Sequence, residues 1–374
     1  LIPLDAIPYQ TGLIFNYDSG NFPDVLDKAV DLSDYGNFEE RRAESLARGQ
    51  LRGIGVAFAI EQSAAPIEET AEIRFDGTGH CTILMGTLAQ GQGHDVTFKQ
   101  LINEMLGVEL DNITLLQGDT DVVAHGRGTF GSRSAGNGGA ALQIASDRII
   151  EHGKKIASHM LEAADTDITF RDGKFSVMGT DHSVRIEEVA QTAYALMVLP
   201  PDIEPTLVAF AAFKPKAPTF PNGCHFCELE IDPETGNTEV LSYVVVDDVG
   251  TVINPLLLKG QIHGGISQGL GQALCEDLNY DPESGQLLSA SFLDYCMPRA
   301  DDMSSIDVIA AGTASPTNPL GIKGAGEAGC VGALPCIQSA LIDALKPYGV
   351  KDVPMPATPH KLWKLIQENS SETS

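Results

Sequence analysis

Glu327 is the only acidic side chain in Gly321-Ile322-Lys323-Gly324-Ala325-Gly326-Glu327-Ala328-Gly329-Cys330. Four glycines fall within residues 321 to 329, so the backbone can adopt positive φ and another group can approach it closely. Downstream, Leu334, Ile337, Leu341, Ala344 and Leu345 recur at helical spacing, which places Glu327 just before a helix N-terminus. The positive end of a helix dipole favours an ionised carboxylate, the state a general base requires. The same stretch also reads as a structural loop whose glutamate caps the helix. Gly324, Gly326 and Gly329 satisfy the dinucleotide pattern G-x-G-x-x-G, but that pattern has meaning directly after a strand. Here a turn-rich run precedes it, Ser315-Pro316-Thr317-Asn318-Pro319-Leu320.

Three further glycine-rich stretches carry polar side chains. Gly91-Gln92-Gly93-His94 follows a hairpin (residues 72 to 85, with the turn Asp76-Gly77-Thr78-Gly79) and opens a helix whose buried face is Phe98, Leu101, Ile102, Met105 and Leu106. Strand, small-residue turn and helix start form an anion site, while a solitary His94 there reads as a cap or a solvent-facing residue. Gly126-Arg127-Gly128-Thr129-Phe130-Gly131-Ser132-Arg133-Ser134 runs on to Gly139 and feeds a helix from about 140 to 162. Its N–H groups, hydroxyls and arginines suit a phosphate or a polar heterocycle. It lacks the Lys-Ser/Thr ending of a P-loop, and neither Ser132 nor Ser134 stands in a G-x-S-x-G elbow. Lys259-Gly260-Gln261-Ile262-His263-Gly264-Gly265 continues to Gly271 in a helix starting near Pro255. Each helical glycine costs about 1 kcal/mol against alanine, so this run implies close approach of another backbone or a cofactor.

These loops need elements to hold them. Residues 24 to 48 are charged and helix-prone, 51 to 60 are β-like, and 113 to 116 form a short strand. Residues 168 to 177 form an Asp-Gly hairpin, 186 to 196 a short helix, and 200 to 221 a proline-rich connection. Cys224 to Ile231 and Thr238 to Asp247 pair as strands. Strands and helices mix without a regular βαβ rhythm, so the expected class is α+β, with two subdomains flanking a cleft. The expected division is a linking segment (1–50), a first cofactor-binding subdomain (51–222) and a second carrying the Glu327 loop (223–374).

The chain of 374 residues carries 24 basic and 51 acidic side chains, net −27. That balance argues against a nucleic-acid surface, which needs clustered Lys and Arg. No apolar run approaches the roughly 20 residues of a membrane helix, and a cytoplasmic location is expected. Seven cysteines, an odd number in a long chain, do not suggest a disulfide framework. Cys224-His225-Phe226-Cys227 looks like half a metal site, yet residues three apart on a strand face opposite ways.

Taken together and in this order, Gly91-Gln92-Gly93-His94, the Thr129–Ser134 loop, Gly260-Gln261 with Gln268-Gly269-Leu270-Gly271, and Lys323-Gly324-Ala325-Gly326-Glu327 resemble the molybdopterin-binding subunit of the xanthine dehydrogenase and aldehyde oxidase family. Gly131-Ser132-Arg133-Ser134 and Gly260-Gln261-Ile262-His263-Gly264-Gly265 are similar to the wording of its carbon monoxide dehydrogenase branch. The resemblance implies molybdenum held by the dithiolene of a pyranopterin, in bacteria often the cytosine dinucleotide, with no metal ligand required from the protein. It implies that Gln92, Gly93, Gln261, Lys323, Gly324 and Gly326 contact the cofactor, that Gly131, Ser132, Arg133 and Ser134 line its pterin or phosphate side, and that Glu327 is the base. It also implies a subunit roughly twice this length. The upstream half, a [2Fe-2S] subunit and an FAD subunit are then expected as partners, acting on an aldehyde, N-heterocycle, purine or carbon monoxide. A non-catalytic cofactor-binding scaffold and a nicotinamide-dependent dehydrogenase are the alternatives.

Overall fold

The computed structural model describes residues 1–195, 198–303 and 305–370. Leu196, the last residue of one expected helix, and residues 371–374, the end of the second expected subdomain, lie outside them. The chain opens with a short strand pair, β1 (Tyr9–Gln10) and β2 (Asn16–Tyr17), and two helices, α1 (Phe22–Leu32) and α2 (Phe38–Ala47). Next come β3 (Leu51–Ile60), β4 (Glu69–Phe75), β5 (Cys81–Met85), α3 (His94–Leu106), β6 (Ile113–Leu116) and the long α4 (Gly139–Leu161). A small antiparallel sheet follows, β7 (Ile168–Arg171), β8 (Lys174–Val177) and β9 (Ser183–Arg185), then α5 (Ile186–Ala193) and β10 (Val208–Phe213). The remainder comprises β11 (Asn222–Ile231), β12 (Thr238–Asp248), α6 (Pro255–Leu270), β13 (Ile306–Ala311), α7 (Ala328–Ala344) and α8 (Pro359–Ser370).

Two four-stranded mixed sheets organise the molecule, and the class is α+β as expected. In the first, ordered β10-β4-β5-β6, Ala71, Ile73, Ile83 and Met85 pack against Phe98 and Ile102 of α3 and Leu142, Ala145 and Ile149 of α4. The expected connection at 200–221 contains β10, an outer strand of this sheet: Ala209 and Ala211 turn inward while Val208 and Phe210 face out. Prolines 205 and 215 flank that alternation and hid it among turn signals.

The second sheet, ordered β13-β12-β11-β3, is covered on one face by α6, α7 and α8 and on the other by α1. The expected boundary at 50/51 does not follow the sheets, because β3 hydrogen-bonds to β11 along its whole length. Every residue of β11 is buried. Glu228 and Glu230 lie on its α1 side and are neutralised by Arg41 of α2, by Arg48 at its C-cap and by Arg52 of β3. The first 50 residues therefore fold onto this sheet as well as linking to it. Cys224 packs on the α1 face and Cys227 on the α7 face, and burial pushes the Cys224 thiol up to about 12.

Two helices cross where glycine permits it. A Cβ on Gly265 of α6 would lie 2.9 Å from Cys330 N of α7, and one on Gly329 would lie 2.4 Å from Ile262 O. The helical glycines at 265 and 269 thus serve close approach of another backbone, whereas the α-hydrogen sides of Gly260 and Gly264 meet open space.

Candidate functional site

Three of the four motif stretches run into helix N-termini while Gly260-Gln261 lies within α6, and the fold brings them to one cleft of about 560 Å³. The loop after β5 supplies Gln90, Gly91 and Gln92 ahead of α3, and residues 129 to 135 lead into α4 through a single π-turn at Ser134–Gly138. The loop after β12 supplies residues 249 to 254 ahead of α6, and Ile322 to Glu327 precede α7. Four helix N-termini with their positive dipole ends make a surface suited to an anionic group.

Cross-links fix the loops to one another. Thr129 Oγ1 donates to Leu88 O at 2.6 Å and accepts from Leu88 N–H at 3.1 Å. Gly128 N–H donates to Gly86 O at 3.1 Å, while Thr251 N–H donates to Gly321 O at 3.0 Å and Lys323 N–H to Val249 O at 2.9 Å. Gly324 must be glycine, since a Cβ there would lie 1.6 Å from Ser132 O. The glycine-rich backbone before α7 is therefore shaped first by the Ser132 loop.

Glu327 stands at the N-cap of α7 yet its side chain caps nothing, which removes the capping reading. Its carboxylate is exposed to the cleft and accepts from Ser132 Oγ at 2.7 Å through Oε2, while Glu327 N–H donates back to Ser132 Oγ at 3.1 Å. Ser132 adopts φ +50°, a left-handed conformation that costs a non-glycine residue energy and aims its hydroxyl at Glu327.

The expected site residues divide. Gln92, Gly131, Ser132, Arg133, Ser134, Gln261, Lys323, Gly324, Gly326 and Glu327 all line the cleft; Gly93 stands behind the wall as N-cap of α3, its α-carbon against Leu257. The two cations line the cleft with their charges engaged inside the protein. Arg133 is fully buried and donates to Glu69 Oε2 at 2.6 Å, Gly128 O at 3.1 Å and Glu68 O at 2.8 Å. Lys323 Nζ is buried on Asp248 Oδ2 at 2.9 Å. Gln92 holds its own loop, donating through Nε2 to Leu88 O at 3.1 Å and accepting from Gln90 N–H. Gln261 has no side-chain partner among the described residues. His94 neither caps nor faces solvent: it is buried against Phe98 with Nδ1 3.2 Å from Gln117 Oε1, and burial lowers its pKa.

Sequence reading missed Glu61, at the end of β3. Both its carboxyl oxygens are shielded from solvent without a hydrogen-bond partner, and the group faces Ser132, Glu327 and Asp247. Burial, helped by the charges of Glu327 and Asp247 and opposed by Ser132, pushes it up to about 7. The available signal was an acid directly following the apolar run Val56-Ala57-Phe58-Ala59-Ile60.

The Molybdopterin cofactor-binding domain family matches residues 28–304. The chain belongs to that family. This molybdopterin-binding chain is similar to the carbon monoxide dehydrogenase large chain of Afipia carboxidovorans, at 35% identity over 382 residues, covering 97% of the chain and 47% of the relative. It is 35% identical over 360 residues to the nicotine 6-hydroxylase large subunit of Paenarthrobacter nicotinovorans, covering 92% of the chain and 44% of the relative. The crystal structure of a Cu,Mo-CO dehydrogenase in its carbon monoxide reduced state superposes with a TM-score of 0.90 at 35% identity, over 99% of this chain and 48% of that one. The chain spans about half the length of the curated relatives it matches. The donor set fits such a group: one free amide at Gln261, open backbone at Gly91 and Gly131, and helix N-termini for its anionic part. Among the described residues no cluster of three or more His, Cys, Asp or Glu could hold a metal by itself, and no helix is long and apolar enough to cross a membrane.

Proposed function

We propose that the chain forms part of the large subunit of a cytoplasmic molybdenum hydroxylase, holding the pterin cofactor and supplying Glu327 as general base. The enzyme oxidises a small organic or one-carbon substrate, an aldehyde, N-heterocycle, purine or carbon monoxide, with oxygen derived from water. The observation that carries this reading is Glu327, an N-cap carboxylate that caps nothing and is instead aimed into the cleft by Ser132. When bound, the molybdenum–pterin group, in this reading its cytosine dinucleotide form, supplies the two-electron chemistry and the activation of water. Gln261, Gly131, Ser134, Gly324 and Gly326 would hold it, and Gln92 would keep the first loop in shape. Ser132 occupies Oε2 of Glu327, which leaves Oε1 the freer oxygen to take a proton. With Arg133 and Lys323 engaged internally, the phosphates would rest on N–H groups and helix dipoles. Electrons would leave through [2Fe-2S] and FAD partner chains, and the rest of the large subunit would complete the site.

The test is Glu327→Gln in the assembled complex. Turnover per molybdenum in the reductive half-reaction should fall by about 10² to 10⁴ with molybdenum content unchanged. A variant within tenfold of the parent rate would return the site to a non-catalytic cofactor scaffold.

A further inference from the structure

The connection between β3 and β4 takes no part in the mechanism above, yet two neighbouring residues in it, Ser63 and Ala64, reach the two loops that hold Glu327. Ser63 pairs with Thr219 in an antiparallel bridge: each N–H donates to the other's carbonyl at 2.9 Å, and the two hydroxyl oxygens lie 2.6 Å apart. Both residues are buried. Ser63 Oγ also accepts from Gly324 N–H at 3.1 Å, in the loop that ends on Glu327. Ala64 N–H donates to Gly131 O at 3.1 Å, directly before Ser132. Ala64 is buried at φ +52°, a left-handed conformation that costs a residue with a Cβ energy and that the surrounding bonds must enforce. Further along the connection, Asn137 Nδ2 of the π-turn donates to Ile67 O at 3.1 Å and ties the same loop again.

With the Ser132 Oγ bond to Glu327 these contacts close a ring, from Ser63 through residues 324 to 327, Ser132, Gly131 and Ala64 back to Ser63. The Gly324 N–H bond is buried, so without Ser63 Oγ that donor is left unsatisfied and its loop must move to find an acceptor. We infer that Ser63 is a positioning residue for Glu327: its hydroxyl oxygen, anchored in the Thr219 bridge, fixes the Glu327 loop against the Ser132 loop and so sets where the carboxylate stands in the cleft. This rests on the reading of Glu327 as the base. Ser63 is not among the residues that line the cleft, and it acts through Gly324.

The experiment compares the parent complex with Ser63→Ala, Thr219→Val, Glu327→Gln and the double variant Ser63→Ala with Glu327→Gln. In Ser63→Ala the limiting rate of the reductive half-reaction per molybdenum should fall roughly 10- to 100-fold with KM unchanged, the cost of a displaced catalytic group. Thr219→Val breaks the same buried hydroxyl pair but leaves Ser63 its backbone bridge and Gly324 its acceptor, so its rate should match the parent. Added to Glu327→Gln, Ser63→Ala should cause no further loss, since no base is left to misplace. A readout independent of turnover is amide hydrogen exchange of peptides covering residues 322 to 327 in the same complexes. It should quicken in Ser63→Ala and stay parent-like in Thr219→Val. Unchanged exchange in Ser63→Ala overturns the proposal whatever the rate. Quickened exchange with a parent-like rate, an equal rate loss in Thr219→Val, or a further loss on top of Glu327→Gln also overturns it, while the base reading stands on Glu327→Gln by itself. If Glu327→Gln keeps the parent rate although exchange responds as expected, the base reading falls and the positioning role falls with it. Should Ser63→Ala fail to assemble, Ser63→Cys replaces it, a thiol being a weak acceptor. Parent-like exchange and rate in that variant overturn the proposal.

Discussion

At the scale of single residues, chemistry at this site depends on which polar groups are already satisfied. Gln92 and Gln261 look equivalent as amides in glycine-rich stretches, yet one is tied to its own loop and the other has no side-chain partner among the described residues. Removing a free amide should affect only what it binds, whereas removing a loop brace leaves Gln90 N–H to find water and Leu88 O with Thr129 as its side-chain donor. Gln261→Ala should therefore lower molybdenum occupancy with thermal stability unchanged. Gln92→Ala should lower occupancy and also destabilise the protein by about 1 kcal/mol. Metal analysis of the purified complexes and denaturant unfolding of each variant check the pair; equal stability loss in both would erase the distinction.

At the scale of elements, the Glu327 carboxylate is held by two loops and by the crossing of α6 and α7, where backbone meets backbone at Gly265 and Gly329. A helix through several glycines forgoes propensity, and the structure shows which of them return something. Gly260→Ala meets open space and should stabilise the protein by up to about 1 kcal/mol through helix propensity alone. Gly265→Ala places a methyl 2.9 Å from Cys330 N and 3.0 Å from Gly329 Cα, so α7 must shift, at about 1–3 kcal/mol. Because Glu327 is the residue before α7, the same shift should slow the reductive half-reaction while Gly260→Ala leaves it alone. Thermal denaturation and single-turnover rates of the two variants make the comparison.

At the scale of the whole molecule, two sheets of different helix cover meet at the cleft, and each contributes two of the four helix N-termini. The matched relatives are about twice as long, and in the proposed reading the rest of the large subunit completes the cleft. The chain expressed alone, in a host competent for cofactor synthesis, should therefore purify without stoichiometric pyranopterin. Mass spectrometry of the purified chain decides this, and retention of one pterin per chain would show that these four loops suffice.

What the sequence by itself determined is local. Turn residues, the shift from strand to helix periodicity and the order of four glycine-rich loops are written in neighbouring residues, so the helices behind Gln92, Ser134, Gln261 and Glu327 and the family they point to were legible. What only the tertiary structure decided is which distant groups meet. β3 pairs with β11, and β10 joins β4 through a stretch that reads locally as turns. Arg133 and Lys323 sit in binding-type loops, but buried Glu69 and Asp248 claim their charges. Glu61 gives no local sign of being unusual: an acid at a strand end is ordinary in water. Burial pushes its carboxyl up to about 7, and the acidic neighbours that add to the shift, Glu327 and Asp247, arrive from other elements; electrostatic energy depends on distance in space, which spacing along the chain does not encode.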